Sequence, residues 1–176
     1  MGVFLHAHPL QAAPLVHPGQ RVAVGQPVGL LQIGPLLLPV QAPQGTVVAL
    51  HGCGGLYAHT GPRQGLLNAR HQAMGEMLVE QGYAVLFADS FTARGVREVC
   101  TQPLGHRPLN QVQRRHDALA ALAWVAAQPW ADARRVAVLG WSHGGSAVLA
   151  ATDATHREVA AEPLRFATAI AFYPGC

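Results

Sequence analysis

Val136-Ala-Val-Leu-Gly-Trp-Ser-His-Gly-Gly145 is an uncharged, strand-like run that ends in the pentapeptide Gly140-Trp141-Ser142-His143-Gly144. Small residues at both ends of such a pentapeptide let the chain leave a strand and enter a helix within one sharp turn, with the serine held in a strained conformation above the sheet edge. The pattern predicts a nucleophile elbow centred on Ser142. Ser146-Ala-Val-Leu-Ala-Ala151 then supplies a small-residue helix able to pack closely on a sheet.

Outward from the elbow, Thr46-Val-Val-Ala-Leu50 reads as a central strand and Tyr83-Ala-Val-Leu-Phe-Ala88 as the next. They run into the loops His51-Gly-Cys-Gly-Gly55 and Asp89-Ser-Phe-Thr-Ala-Arg-Gly95, at the carboxyl ends where open α/β sheets place ligands. Three glycines in five residues let backbone N–H groups turn inward, as an oxyanion hole requires. The expected donors are the N–H of His143 and one from the Cys53-Gly54 turn. The chain contains no lysine, which excludes a phosphate-cradling Gly-Lys-Ser/Thr loop. Asp89 reads as a loop cap, and Arg94 as either a contact for a substrate carboxylate or a structural ion pair.

Helical spacing covers Asn68 to Gln81, closed by Gly82, and Val112 to Gln128, where Asn110 and Gln113 form a capping-box pattern. The apolar stripe of the second helix is expected at Leu119, Leu122, Ala123 and Ala126. Val96 to Leu109 is irregular, as a pocket wall or lid would be, and Phe166 to Tyr173 is a last strand. Near the start, Arg21 to Val24 and Val28 to Leu38 form an expected edge hairpin around Gly25-Gln-Pro27. The alternation of strands and helices predicts an α/β protein, a three-layer α/β/α sandwich forming a single domain, with 1–44 as arm and hairpin and 45–176 as core.

Half of the 176 residues are hydrophobic and 12% are charged, the composition of a globular domain with a real core. The net charge of +3 comes from scattered arginines, so no nucleic-acid partner is expected. His6 and His8 in the Pro-rich arm read as surface groups, and no metal is expected. Cys53, Cys100 and Cys176 fit no metal pair and leave a Cys53–Cys100 or a Cys100–Cys176 bridge open. Neither a signal peptide nor a spanning segment is read, so no membrane partner is expected and a cytoplasmic location is the default, with the periplasm as alternative.

A serine hydroxyl needs a histidine to take its proton and a carboxylate to orient that histidine. His143 should point away from Oγ, His51 belongs to the oxyanion loop and His156 to the far side of the sheet, so none of them is expected to be the base.

Together, His51-Gly-Cys-Gly-Gly55, Asp89 to Gly95, Gly140 to Gly145 and Ala171-Phe-Tyr-Pro-Gly-Cys176 resemble the dienelactone hydrolase family of α/β-hydrolases over residues 20 to 176. The resemblance implies a cofactor-free hydrolase of small carboxylic esters or lactones that works through an acyl-serine intermediate. It implies Ser142 as nucleophile, the backbone amides of His143, Cys53 and Gly54 as oxyanion hole, and Arg94 as partner of the substrate carboxylate. Founding members carry cysteine in the elbow, which places this chain with the serine branch. They also keep an acidic residue near the oxyanion loop that has no counterpart between His51 and Leu56. The family's catalytic aspartate and histidine follow on the last two strand-to-helix turns, so the resemblance puts them beyond Cys176, in an α/β-hydrolase fold lacking its last two strands. Phe166 to Tyr173 is then an edge strand prone to self-association. A peptidase or lipase on the same fold, and a non-catalytic ligand-binding protein or incomplete fragment, are the competing readings.

Overall fold

The computed structural model describes residues 11–14, 29–33, 35–39 and 42–175. In chain order the elements are β1 (Gln11–Pro14), β2 (Gly29–Ile33), β3 (Leu36–Pro39), β4 (Gly45–Leu50), α1 (Ala69–Glu80), β5 (Tyr83–Ala88), α2 (Gln111–Ala126), β6 (Val136–Trp141), α3 (His143–Thr152), α4 (Arg157–Ala161) and β7 (Thr168–Phe172). The strands form one sheet in the order β1-β2-β3-β5-β4-β6-β7, antiparallel as far as the β3–β5 pair and parallel from β5 to β7.

Side chains alternate across this sheet and build two separate cores. Val47 and Ala49 pack with Leu37, Val85, Phe87 and Val79 of α1 on one face. Val48 and Leu50 pack with Ala118 and Leu122 of α2 and Ala147 and Val148 of α3 on the other. Central strands buried on both faces read as unbroken apolar runs, and β4 is buried at all six positions. These are the three layers the alternation of elements predicts.

Two expectations change. Val28 to Leu38 is two antiparallel strands rather than one, with the break beside Pro35, which lacks the N–H a continuing ladder needs. The buried face of α2 is Arg114, Arg115, Ala118, Leu122 and Val125, whereas Ala123 is exposed. The stripe read from hydropathy was rotated because two of the innermost side chains are arginines. The capping box of Asn110 and Gln113 forms, and Asn68 caps α1. The expected strand at Arg21 to Val24, its Gly25-Gln-Pro27 turn, His6, His8 and Cys176 lie outside the described residues.

Paired residues at the carboxyl ends position the site. Leu50 lies opposite Ala88 on one side and Gly140 on the other, and Trp141 lies opposite Phe172. The loops leaving β4, β5 and β6 therefore emerge at one level and converge. At the far edge, β7 exposes Ile170 (41%) and Phe172 (38%), with Tyr173 (58%) just beyond. Phe172 stacks on Trp141 at 6.3 Å and 13°.

An exposed apolar edge strand invites pairing with a second copy. The chain is expected to sediment with a concentration-dependent coefficient that Ile170→Lys and Phe172→Lys together abolish. A concentration-independent monomer would overturn the expected self-association.

Candidate active site

The turn from β6 into α3 is built by backbone crowding. A Cβ on Gly140 would lie 2.4 Å from the Gly144 oxygen, and a Cβ on Gly144 would lie 2.1 Å from the Leu50 oxygen and 2.6 Å from that of His51. Only hydrogen fits at either position, so α3 starts directly against the end of β4. Ser142, between them, has φ 53° and ψ −120°, a left-handed conformation that costs a non-glycine residue on the order of 1–3 kcal/mol. Two hydrogen bonds hold it there: Ser142 N–H donates to Phe172 O at 3.0 Å, and Ser146 N–H donates to Ser142 O at 3.0 Å. Among the described residues its hydroxyl has no hydrogen-bond partner.

Facing the serine is the loop after β4. A Cβ on Gly52 would lie 3.8 Å from Ser142 Cβ. A turn closed by Gly55 N–H donating to Gly52 O carries Cys53 and Gly54. Cys53 is joined to Cys100 by a disulfide, and Val99 N–H donates to Cys53 O at 2.8 Å, so the loop is tied to the irregular segment before α2. Of the two pairings the sequence left open, geometry selects this one. The backbone N–H groups of Cys53 and His143 are in no backbone hydrogen bond among the described residues.

Beneath these loops lies a buried polar cluster. Ser90 N–H donates to His51 Nε2 at 3.3 Å, and a backbone N–H can only donate. His51 is therefore the Nδ1–H tautomer, and that proton goes to Gly52 O at 2.8 Å. The Arg114 guanidinium likewise can only donate: Nη1 bonds His143 Nδ1 at 2.9 Å and Nε bonds Ser90 Oγ at 3.2 Å. His143 is thus also neutral. Phe91 packs between them, edge-on to His51 at 4.4 Å and 5.4 Å under the guanidinium carbon.

Burial and the Arg114 charge both oppose protonation here. His143 is pushed down to about 4, chiefly by desolvation and then by Arg114, and His51 lies well below the usual histidine range for the same reasons in the same order. Arg114, wholly buried, is pulled down to about 10 by desolvation and stays a cation at neutral pH.

The expected site residues fall as follows. Ser142, His143, Cys53 and Gly54 lie on the converging loops, with the His143 ring engaged by Arg114. Arg94 lies further out. It forms a two-pronged ion pair with Asp117 (2.7 and 2.9 Å) and donates to Ser90 O, the structural alternative of its two readings. Asp89 caps its loop by accepting from Phe91 and Thr92 N–H, and His156 caps α4. A cleft of about 530 Å³ beside the β4 loop is lined by Tyr57, His59, Phe91, Val96 and Arg97 among others, not by Arg94. No metal-holding group of three or more His, Cys, Asp or Glu occurs among the described residues. Sequence reasoning missed Arg114. Its one signal was an arginine on the helix face that otherwise carries Ala118, Leu122 and Val125.

Sheet order, turn and flanking helices define an α/β-hydrolase fold. The chain belongs to the X-Pro dipeptidyl-peptidase (S15) family, whose profile it matches over residues 39–167. It is 38% identical over 72 residues to a probable dipeptidyl-aminopeptidase B of Fusarium vanettenii, a match covering 39% of this chain and 7% of that one. Among solved structures it resembles a dienelactone hydrolase-like promiscuous phosphotriesterase from metagenomic libraries, with TM-score 0.52, 20% identity, 84% of this chain and 54% of that one. Esterase B from Lactobacillus rhamnosis, inhibited with a tributyrin phosphonate, gives TM-score 0.50, 20% identity and 90% and 46% coverage. The chain thus spans about half the length of these structures.

Two outcomes follow. Ser142→Gly relieves the left-handed strain and is expected to stabilise the fold by about 1 kcal/mol, whereas Gly144→Ala drives a methyl into Leu50 O and is expected to cost at least about 3 kcal/mol, both read from urea melts. Because the folded His143 and His51 refuse protons that the unfolded chain accepts below about pH 6.5, stability should fall as pH drops from about 6.5 toward 4. A melting temperature independent of pH across that window would contradict neutral, buried imidazoles.

Proposed function

We propose that the chain carries the nucleophile and oxyanion-binding groups of a serine hydrolase acting on small carboxylic esters or lactones. The observation that supports this most is Ser142 itself: a hydroxyl without a hydrogen-bond partner among the described residues, on a left-handed backbone, beside two backbone N–H groups that make no backbone bond to those residues. Ser142 Oγ attacks the ester carbonyl and gives its proton to a base, and the N–H groups of His143 and Cys53 or Gly54 receive the oxygen as it becomes negative. Collapse expels the alcohol and leaves an acyl–Ser142 ester, which water hydrolyses to the acid and free serine. Neither His51 nor His143 serves as that base, since donors hold both rings neutral and engaged. No cofactor is needed for these steps. The solvent-accessible Cys53–Cys100 bridge favours an oxidising compartment, the periplasmic alternative of the two. No helix among the described residues is long and apolar enough to cross a membrane.

The family match supports a second reading, a peptidase releasing N-terminal dipeptides. That reaction needs a carboxylate to hold the substrate's terminal ammonium. Asp89 and Asp117, the two carboxylates whose charges act on Arg114, are occupied by backbone N–H groups and by Arg94, so neither supplies it.

A fluorophosphonate probe should add one phosphonyl group to Ser142 of the folded chain and none to the Ser142→Ala variant. With p-nitrophenyl acetate and an Xaa-Pro-p-nitroanilide as paired substrates, the ester should be the one that acylates Ser142, its p-nitrophenol released once per chain while the Oγ proton passes to buffer. Anilide turnover alone would favour the peptidase, and a folded chain without adduct or turnover would leave the non-catalytic reading.

A further inference from the structure

The two backbone donors assigned to the oxyanion come from different elements, Cys53 from the β4 loop and His143 from the first turn of α3. Each is tied to the same buried side chain. On the α3 side, Arg114 Nη1 bonds the ring of His143, the residue whose own N–H is the donor. On the β4 side, Arg114 Nε bonds Ser90 Oγ, Ser90 N–H bonds His51 Nε2, and His51 Nδ1–H bonds Gly52 O. In a trans peptide the carbonyl of Gly52 and the N–H of Cys53 belong to one plane and point in opposite directions. Anchoring Gly52 O to the His51 ring therefore aims the Cys53 N–H away from His51.

Stability does not explain the arginine. A wholly buried cation costs several kcal/mol, and well-packed apolar residues replace buried charges at little loss or even a gain. Arg114 makes no hydrogen bond to a carboxylate, and its Nη2 has no partner among the described residues. A positive charge retained under those conditions, one hydrogen bond from an oxyanion donor, fits a role toward a negative charge that forms only during reaction.

We propose that Arg114 is a positioning residue for oxyanion binding, holding the His143 and Cys53 amides in a common geometry through His143 on one side and Ser90 and His51 on the other. The inference rests on the serine hydrolase reading for its purpose, though the tether itself is independent of turnover.

Phenylboronic acid serves as the probe. Ser142 Oγ bonds to boron, the hydroxyl proton passes to buffer, and the resulting tetrahedral boronate anion places an oxygen in the oxyanion position. Its affinity is measured by boron NMR on the full chain, alongside the imidazole nitrogen shifts of His51 and His143. Arg114→Met should keep a cooperative melt, move the signals of both rings and weaken the boronate on the order of tenfold, less than the ~100-fold or more that deleting a donor outright costs in rate. Arg114→Lys, which keeps the charge but not the fork, should recover part of that affinity. If Arg114→Met does not fold, Ser90→Ala supplies the same readings with a smaller loss, on the order of threefold, since it deletes one of the tether's hydrogen bonds. A folded Arg114→Met chain with unchanged ring signals, or with unchanged boronate affinity, overturns the proposal. Equal boronate binding by the parent chain and Ser142→Ala would instead sink the hydrolase reading, and the ring signals would still decide the tether.

Discussion

The contact on which the rest depends is that of Gly144 against the last carbonyls of β4. With space for a hydrogen and nothing larger between Gly144 and the Leu50 and His51 oxygens, the first turn of α3 is seated on the sheet by main chain alone. Side-chain rotamers can relax and backbone against backbone cannot, so the spacing between α3 and the β4 loop is fixed at the level of the fold. Ser142 is forced into its left-handed conformation by the same contact, because the chain must pass from Trp141 in the sheet to Gly144 on it in three residues. The strain is then held by the bonds from Ser142 N–H to Phe172 and from Ser146 N–H to Ser142. Strand β7 thus helps hold the turn as well as extending the sheet.

Seating α3 this way also turns the His143 ring down into the layer between sheet and α2, where it meets Arg114. The polar cluster there is a consequence of the turn, and it explains why two histidines sit beside a cation without protonating. Each ring presents a bare nitrogen to a group that can only donate, and His51 sends its own proton to Gly52 O. An imidazolium at either place would set N–H against N–H. Desolvation and the Arg114 charge therefore act in the same direction as the hydrogen-bond pattern, and neutral rings satisfy all three.

Much of this was legible in the sequence, and the division between what was and what was not has a physical basis. The strand Tyr83 to Ala88 and the capping box of Asn110 and Gln113 depend on residues within a few positions of one another, and they appear where local pattern puts them. The Gly-x-Ser-x-Gly turn is local in the same sense, its glycines being required by atoms that any strand-turn-helix brings close. Arg114 was missed because hydropathy treats arginine as a surface marker, and its burial depends on partners 24 and 29 residues away, Ser90 and His143. The role of His51 was hidden for the same reason. The glycine-rich loop placed it correctly, while the group that fixes its tautomer arrives from the far end of β5. Cys100 had two candidate partners on spacing alone, Cys53 and Cys176, and the choice of Cys53 required the loop to be folded.

Arg94 shows how the outer charges bear on the inner one. Its ion pair with Asp117 is partly exposed, a kind of pair worth about 0–1 kcal/mol, so its contribution to stability is small. Its electrostatic consequence is larger. Asp117 and Asp89 are the carboxylates whose charges favour the Arg114 cation, while Arg94 opposes it. Asp117 is answered by Arg94, and Asp89 by the N–H groups of Phe91 and Thr92. Both nearby negative charges are thus already satisfied, and Arg114 is left as the cation of this layer with no carboxylate bonded to it. In a low-dielectric interior a charge acts over several ångströms, and the hydrogen bond from Arg114 Nη1 leads to His143, whose N–H stands at the start of α3.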